Sequence, residues 1–272
     1  MALTTKETTS TTMTQSQGAR AAAFRERVLR RETVYGTFIK TSTSHSIEII
    51  GGAGYDFVLI DAEHAPFDRV ATDTCILAAR AVGAAPLVRV ASPNDILGAL
   101  DDGAFGVMVP HMTSAKATKE IVDLCRYSGK RGFSNSPRAG DYGVRTTWEH
   151  IDASDKEVLL LGMIEDPEAI ENADEIVAVE GLDAVFIGRG DLTAAYRDRE
   201  AGSPKVKAAT LKVLEACRRH NKPAFLLTAN AKEAIEYAAL GVSGFVTGSD
   251  QGFMRSAATT ALREYQSALA QK

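Results

Sequence analysis

Residues 56–68, DFVLIDAEHAPFD, place acids and a histidine directly after an apolar run. The run from Phe57 to Asp61 is typical of a strand, and Glu63 and His64 follow it at once. A carboxylate beside an imidazole can fix the tautomer of the ring and make it a better base. Asp61 and His64 are therefore candidates for proton transfer. The alternative is a structural histidine bonded to a loop carbonyl.

Two further acids, Glu165 and Asp191, end later apolar runs. Carboxylates from neighbouring strands can share one divalent cation, and oxygen ligands suit Mg²⁺ or Mn²⁺, for which Co²⁺ could substitute. The alternative for each acid is a place at a helix N-terminus, where the helix dipole stabilises negative charge. The glycine-rich turn at 188–190 leads into a helical pattern, and backbone N–H groups at such a terminus bind carboxylate or phosphate.

Arg89 ends the apolar run PLVRV at 86–90. An arginine at the end of a strand is not a core residue. We expect it either to pair with an acid or to stabilise a developing oxyanion.

Eight apolar segments alternate with helical patterns and supply these strand ends. The predicted strands are short and nearly all apolar, as in strands covered on both faces: 34–40, 57–63, 86–90, 106–110, 158–165, 184–188, 223–228 and 244–249. The helical patterns are 44–53, 68–82, 94–103, 113–127, 167–179, 205–221, 230–240 and 251–270. Eight such units over about 250 residues have the usual size of a (β/α)₈ TIM barrel.

A doubly wound open sheet shares this alternation, so the position of the polar residues decides between the two folds. Polar residues stand at nearly every strand end, as in a barrel, and no GxGxxG follows the first strand. The fold class predicted is therefore an α/β TIM barrel. The long segment 129–155 follows strand four. We expect it to lie as a flap over the carboxyl end of the barrel, here called the mouth.

Bulk composition excludes several classes of protein. The chain has 272 residues, a net charge of −4 and 45% hydrophobic residues, so it offers no basic field for nucleic acid or membrane surfaces. The three cysteines are far apart, which predicts a reduced, cytoplasmic protein without a disulfide framework. Residues 1–22 are predicted to be a disordered Ser/Thr-rich tail, and residues 23–272 a single barrel domain. A chain beginning near Ala21 is accordingly expected to keep its stability.

Six linked segments resemble the HpcH/HpaI-type class II, metal-dependent pyruvate aldolases, a family that includes 4-hydroxy-2-oxoheptanedioate aldolase. They are FVLIDAEHAPFD, VRVASPND, LDDGAFGVMVP, RGFSNSPRAGDYG, MIEDPEAIENADEI and GLDAVFIGRGDLTAA. The resemblance covers about residues 34–262. It implies a TIM barrel that binds a divalent metal, a pyruvate unit and an aldehyde. It also implies a homo-oligomer, a trimer or hexamer, whose last helix packs on a neighbouring subunit.

The resemblance also implies roles for particular residues. It assigns Glu165 and Asp191 to the metal, and His64 with Asp61 to proton transfer. It assigns Arg89 to the keto oxygen that becomes an enolate. It also implies that Asp101 supports the site from a neighbouring loop. The backbone amides of Gly190 and Asp191 are implied to bind the pyruvate carboxylate.

Three residues depart from the family pattern near the mouth: Arg189, Tyr196 and His111. They bear on the aldehyde half of the substrate more than on the metal and pyruvate. Arg189 is either a solvated side chain or a contact to an anionic acceptor, which would favour acidic aldehydes.

The predicted function is therefore cleavage of a 2-keto-4-hydroxy acid to pyruvate and an aldehyde through a metal-stabilised enolate. An alternative on the same site is an oxaloacetate-type decarboxylase or a citrate-lyase-like acyl-thioester lyase. A third interpretation is a barrel kept for binding or assembly, with weak catalysis.

Overall fold

The computed structural model describes residues 16–197, 199–200 and 203–270. Over these residues the sheet is a closed barrel of eight parallel strands in chain order, and the last strand pairs back to the first. The strands are β1 Val34–Ile39, β2 Phe57–Asp61, β3 Ala85–Arg89, β4 Gly106–Val109, β5 Leu159–Ile164, β6 Ala184–Ile187, β7 Ala224–Leu227 and β8 Val242–Ser249. The predicted TIM barrel is confirmed, with small differences at the strand ends.

Helices follow the strands and cover the outside of the barrel. They are α1 Gln17–Leu29, α2 Ser44–Gly52, α3 Arg69–Val82, α4 Ile96–Asp101, α5 Ala115–Cys125, α6 Thr147–Glu157, α7 Pro167–Glu171, α8 Ala173–Val177, α9 Arg189–Tyr196, α10 Pro204–Arg219, α11 Ala231–Ala238 and α12 Asp250–Ala270. The predicted patterns correspond to most of them, but α1 and α6 were not predicted.

Alternate residues of each strand enter two separate apolar cores. In β2, Phe57 and Leu59 belong to the core inside the barrel, whereas Val58 and Ile60 belong to the core under the helices. Side chains alternate between the two faces of a strand, so a strand covered on both faces must be apolar throughout. This explains the continuous apolar runs.

Glycines and large rings share the interior of the barrel near its amino end. A Cβ added at Gly36 would lie 2.2 Å from the Phe57 ring, and one added at Gly244 would lie 2.2 Å from the Phe225 ring. The two phenylalanine rings pack edge to face, with 5.7 Å between their centroids. Each ring therefore occupies the space that a glycine on the neighbouring strand leaves.

Helix α1 closes the amino end of the barrel. Ala21, Phe24 and Val28 are buried in the interior core, and the Phe24 ring lies 6.0 Å from the Phe57 ring. The expectation of a tail up to residue 22 is therefore wrong for residues 17–22, because the apolar face of α1 gains enough burial to order its first turns. Residues 1–15 lie outside the described part of the chain.

Phe24→Ala is expected to lower the free energy of unfolding by about 3–5 kcal/mol, because it leaves a cavity between α1 and the interior core of the barrel. Urea unfolding measures this change. Leu29→Ala, at an exposed position of the same helix, is the matched control and should cost far less. A chain beginning near Ala21 should also lose stability, since it lacks the Ser16 cap and the first turn of α1. Equal stability of Phe24→Ala and wild type would show that α1 does not seal the barrel.

The long segment after β4 lies at the amino end of the barrel, not over the mouth. It contains a 3₁₀ segment, Arg138–Gly143, and α6, which packs against α1. Arg138 donates to the carbonyl oxygen of Asp102 at 2.8 Å, at the end of α4. The expected flap position is wrong because this segment joins the end of α5 to the start of β5, and both of those points lie at the amino end.

Helix α12 contacts β1 and β8, and most of its residues are exposed. Over Asp250–Ala270, Asp250 is buried, whereas Met254, Leu262, Tyr265 and Leu269 are exposed. Among the described residues, no helix has the length and apolar character needed to span a bilayer.

Candidate active site

An ion pair between Asp61 and Arg89 lies at the carboxyl end of the barrel. These residues end β2 and β3 and are paired in register. The arginine donates from Nε to Oδ1 at 2.9 Å and from Nη2 to Oδ2 at 2.7 Å. Both side chains are buried, and such a two-point contact fixes the guanidinium plane.

Lys40 is a second cation on the same carboxylate. It directly follows β1, and its Nζ donates to Oδ2 of Asp61. Burial alone would raise the pKa of Asp61, but the hydrogen bonds from Arg89 and Lys40 lower this pKa to about 2. Asp61 is therefore held as a carboxylate by its two cationic neighbours.

His64 does not form the predicted pair with Asp61 through its ring. Its backbone N–H donates to Asp61 Oδ1 at 3.1 Å, while its exposed ring has Nε2 3.5 Å from Glu63 Oε2. The expectation of an Asp61-oriented tautomer is therefore wrong in this structure. The physical reason is that the side chains of Arg89 and Lys40 already occupy the Asp61 carboxylate. Glu63, which also lies 3.3 Å from Arg89 Nε, is the acid beside the ring.

Glu165 follows β5 and is almost fully buried. Its Oε1 accepts the backbone N–H of His111 at 3.0 Å. A Cβ at Gly188 would lie 2.5 Å from the Glu165 Cβ, so this glycine leaves room for the side chain. Burial, together with the nearby charge of Asp191, raises the pKa of Glu165 to about 7.

Asp191 lies in the first turn of α9, next to Glu165 and exposed at the mouth. A buried carboxylate beside a second carboxylate is stabilised by a cation between them, so these residues fit a divalent metal. Among the residues described, no group of three His, Cys, Asp or Glu side chains could hold one ion. A metal here would therefore keep several water or substrate ligands, as Mg²⁺ and Mn²⁺ do.

Metal affinity should depend on pH through Glu165. Its raised pKa means that below about pH 7 a proton occupies the carboxylate that the metal needs. Mn²⁺ affinity is expected to rise about tenfold per pH unit up to about pH 7 and then to level off. Calorimetric titration in buffers of different ionisation enthalpy measures both the affinity and the proton released. An affinity that does not change with pH would show that Glu165 is already ionised in this range, without a raised pKa.

The N-terminus of α9 offers backbone N–H groups to the mouth. Gly190 and Asp191 are in the first turn, where N–H groups have no partner within the helix. A Cβ at Gly190 would meet no atom within 4 Å, so the approach to these groups is open. Such groups can bind an anion, and their binding of a carboxylate stays a prediction.

His111 is a residue of the mouth whose role sequence reasoning left open. It has a left-handed backbone with φ 57°, and its ring Nδ1 lies 3.0 Å from Asp166 Oδ2. Burial acts to lower the pKa of His111, but the hydrogen bond that the ring donates to Asp166, together with the charge of Asp166, outweighs burial and raises this pKa. The strained backbone turns the His111 N–H towards Glu165.

Arg189 is held by contacts within the chain at the wall of the mouth. It donates to Glu233 Oε1 at 2.6 Å and to the carbonyl oxygen of Leu227 at 2.6 Å, and its guanidinium lies 5.2 Å from the Tyr237 ring centre. The side chain is therefore not simply solvated, and its contact to an anionic acceptor stays a prediction. Arg189 instead ties the start of α9 to α11 and the end of β7.

Asp101 is the one predicted site residue that the described chain does not bring to the mouth. It ends α4, and its nearest cationic partner is Arg131 at 3.4 Å. The helical turn after Asn94 carries it away from the ends of β2, β3 and β5.

The mouth opens into a cavity of about 860 Å³. Phe38, Arg89 and Met163 line its inner part, and Asp191 and Arg189 line its wall. The cavity continues between α9, α10 and α11. It is much larger than a pyruvate unit, so it leaves room for a second substrate fragment.

Breaking a carbon–carbon bond beside a keto acid requires a place for the released electron pair, and the cations and carboxylates of this mouth can provide it. The fold and the site thus define a lyase. The chain belongs to the HpcH/HpaI aldolase/citrate lyase family, whose model matches residues 34–257. This confirms the resemblance predicted from the sequence and the assignment as an enzyme. Enzymes of this family generally depend on a divalent metal.

Named relatives support the family assignment. A 5-keto-4-deoxy-D-glucarate aldolase of Shigella dysenteriae serotype 1 is 32% identical over 239 residues, 86% of this chain and 93% of the relative. A solved HpcH/HpaI aldolase/citrate lyase family protein from Burkholderia cenocepacia J2315 has a TM-score of 0.85 at 25% identity, covering 90% of this chain and 99% of that one. The solved citrate synthase SbnG has a TM-score of 0.81 at 28% identity, covering 90% and 97%.

Proposed function

We propose that this lyase cleaves a 2-keto-4-hydroxy acid to pyruvate and an aldehyde, using Mg²⁺ or Mn²⁺ bound by Glu165 and Asp191. The observation that carries the proposal is the buried Glu165 carboxylate beside Asp191, with its pKa raised to about 7. Such a pair is costly without a cation. When bound, the cation would polarise the keto acid and stabilise the charge that develops on it.

Arg89 would stabilise the enolate oxygen of the pyruvate half. Its Nε and Nη2 are used by Asp61, whereas its Nη1 has no partner among the described residues. The guanidinium is therefore fixed on one side and free to donate on the other. The N–H groups of Gly190 and Asp191 would hold the carboxylate of the same unit.

Proton transfer would fall to His64 with Glu63. The base takes the proton of the 4-hydroxyl group, the C3–C4 bond breaks, the aldehyde leaves, and the electron pair passes to the pyruvate enolate. C3 then takes a proton to give pyruvate. The exposed ring of His64 can reach substrate at the mouth, and Glu63 stands close enough to stabilise the imidazolium.

The substrate class would be a hydroxylated keto acid such as the sugar acid named for the Shigella relative. The cavity of about 860 Å³ has room for an aldehyde fragment with several hydroxyl groups. A decarboxylase of oxaloacetate type, or a thioester lyase, is a second candidate, because the citrate synthase SbnG shares the fold at 28% identity.

A substrate panel tests the proposal. Pyruvate release should be measured from 2-keto-4-hydroxy acids, with Mn²⁺ and with chelator, and compared with oxaloacetate decarboxylation and acyl-thioester cleavage. We expect Mn²⁺-dependent release from hydroxy-keto acids to be fastest. Faster thioester cleavage would support the second candidate. No turnover with metal still bound would favour a binding or assembly role.

We also propose a cytoplasmic homo-oligomer, a trimer or hexamer. The three cysteines are free and buried, as in a reducing compartment. Helix α12 exposes Phe253, Met254, Leu262 and Tyr265, and exposed apolar side chains on one helix are typical of a protein–protein contact. Light scattering on the purified protein tests the assembly, and a monomer would refute it.

A further inference from the structure

A small cavity at the amino end of the barrel is lined by four arginines. It lies between α1, the 3₁₀ segment and α6, and has a volume of about 40 Å³. We call it the arginine cavity, after Arg80, Arg131, Arg138 and Arg145. It is at the opposite end of the barrel from the mouth, so the proposed reaction makes no use of it.

Two of the four guanidinium groups are neutralised by carboxylates. Arg138 pairs with Asp73 at 2.6 Å. Arg145 pairs with Asp141 and with Glu157, each at 3.0 Å. Asp141 and Glu157 are the acids that line the cavity, and both are used in this way.

Arg80 has no such partner. It is 8% exposed, and its side chain forms no hydrogen bond or ion pair with any residue that the structure describes. Gly103, with φ +90°, comes so close that a Cβ there would lie 2.3 Å from Arg80 Nη1. Burial, and then the charge of Arg138, lowers the pKa of Arg80.

Arg131 is only partly satisfied. Its side chain is 1% exposed, and its contact to Asp101 is long, 3.4 Å. The Nε and Nη1 atoms are buried without a partner among the described residues. The guanidinium lies 4.5 Å from the Tyr127 ring centre, and a stacked ring does not replace these hydrogen bonds.

A cation that is largely buried without an acceptor is costly unless an anion accompanies it. We propose that the arginine cavity binds one small inorganic monoanion, of which chloride is the simplest, between Arg80 and Arg131. A water needs about 10–15 Å³ of such space, so the 40 Å³ of the cavity has room for a chloride-sized ion. The ion would fasten α1 and the 3₁₀ segment to the barrel and thereby stabilise the fold.

Thermal unfolding in chloride tests the proposal. Chloride should replace gluconate, which is too large for the cavity, at constant ionic strength and without added metal. The unfolding midpoint of wild type should rise by a few degrees and then saturate. In Arg80→Met the midpoint in gluconate should equal or exceed that of wild type, because an unpaired buried charge is gone, and the chloride response should be lost.

Arg218→Met is the matched control, since Arg218 is exposed on α10 and lies outside the arginine cavity. It should keep the wild-type chloride response. Anomalous scattering from bromide-soaked crystals should show one ion in the arginine cavity of wild type. If Arg80→Met does not fold, Arg131→Gln replaces it, and the bromide signal should be weaker in that variant. No chloride response in wild type, or no bromide in the cavity, would mean that water fills it and would overturn the proposal.

Discussion

Glu165→Gln is expected to abolish divalent-metal binding and to slow pyruvate release by about 10³-fold or more. Loss of metal assistance removes several kcal/mol of transition-state stabilisation, and each 1.36 kcal/mol is tenfold in rate. The amide keeps the shape of the side chain and can still accept the His111 N–H, which lies 3.0 Å from the carboxylate. The metal-free variant should therefore fold with at least wild-type stability, because a neutral group replaces a buried acid.

Calorimetric titration with Mn²⁺ and thermal unfolding separate these two effects. Glu168→Gln removes a nearby exposed acid of α7 and serves as the control, which should retain both affinity and rate. Asp191→Asn should resemble Glu165→Gln. If Glu165→Gln binds Mn²⁺ as tightly as wild type does, the metal lies elsewhere.

Lys40→Met is expected to lower the rate of deuterium exchange at pyruvate C3 by about 10²-fold, the cost of weakening one oxyanion donor. Asp61 and Glu63 place two negative charges against Arg89, and Lys40 supplies the second positive charge. Without Lys40 the group is net negative where the enolate develops. Lys40→Arg keeps the charge and should restore much of the rate.

The acid stability of the same variants provides a second measurement. The pKa of Asp61 is about 2 in the folded protein, below its usual value near 4. The ionised Asp61 therefore stabilises the fold above about pH 4, and this stability is lost as the pH falls towards 2. Lys40→Met should raise this pKa and move acid unfolding to higher pH. Lys119→Met, on the surface of α5, should change neither measurement. If Lys40→Met exchanges deuterium at pyruvate C3 at the wild-type rate, Lys40 has a structural role only.

The barrel could be predicted from sequence because its strands are covered on both faces and must be apolar throughout. The same argument located Asp61, Arg89 and Glu165, since polar residues that end such runs meet at one end of a parallel barrel. Lys40 ends the first run in the same way, and that signal could have identified it.

Pairing within the site was not predictable, because it depends on competition between neighbours in space. Asp61 contacts Arg89 and Lys40 rather than the His64 ring, and Arg189 finds Glu233 on a helix 44 residues away. The position of the segment after α5, by contrast, follows from connectivity. A segment that joins a helix to the next strand belongs at the amino end of the barrel.

The glycine and phenylalanine pairs inside the barrel have a consequence for how this protein can be changed. Gly36 cannot gain a methyl group while Phe57 keeps its ring, and Gly244 depends on Phe225 in the same way. Substitutions in this layer should therefore succeed only in pairs, with coupling energies of about 0.5–3 kcal/mol. At Gly190, in the wall of the mouth, an added Cβ would contact no other atom within 4 Å. A library aimed at the mouth can therefore vary Gly190 alone, whereas a library aimed at the closed end must vary two strands together.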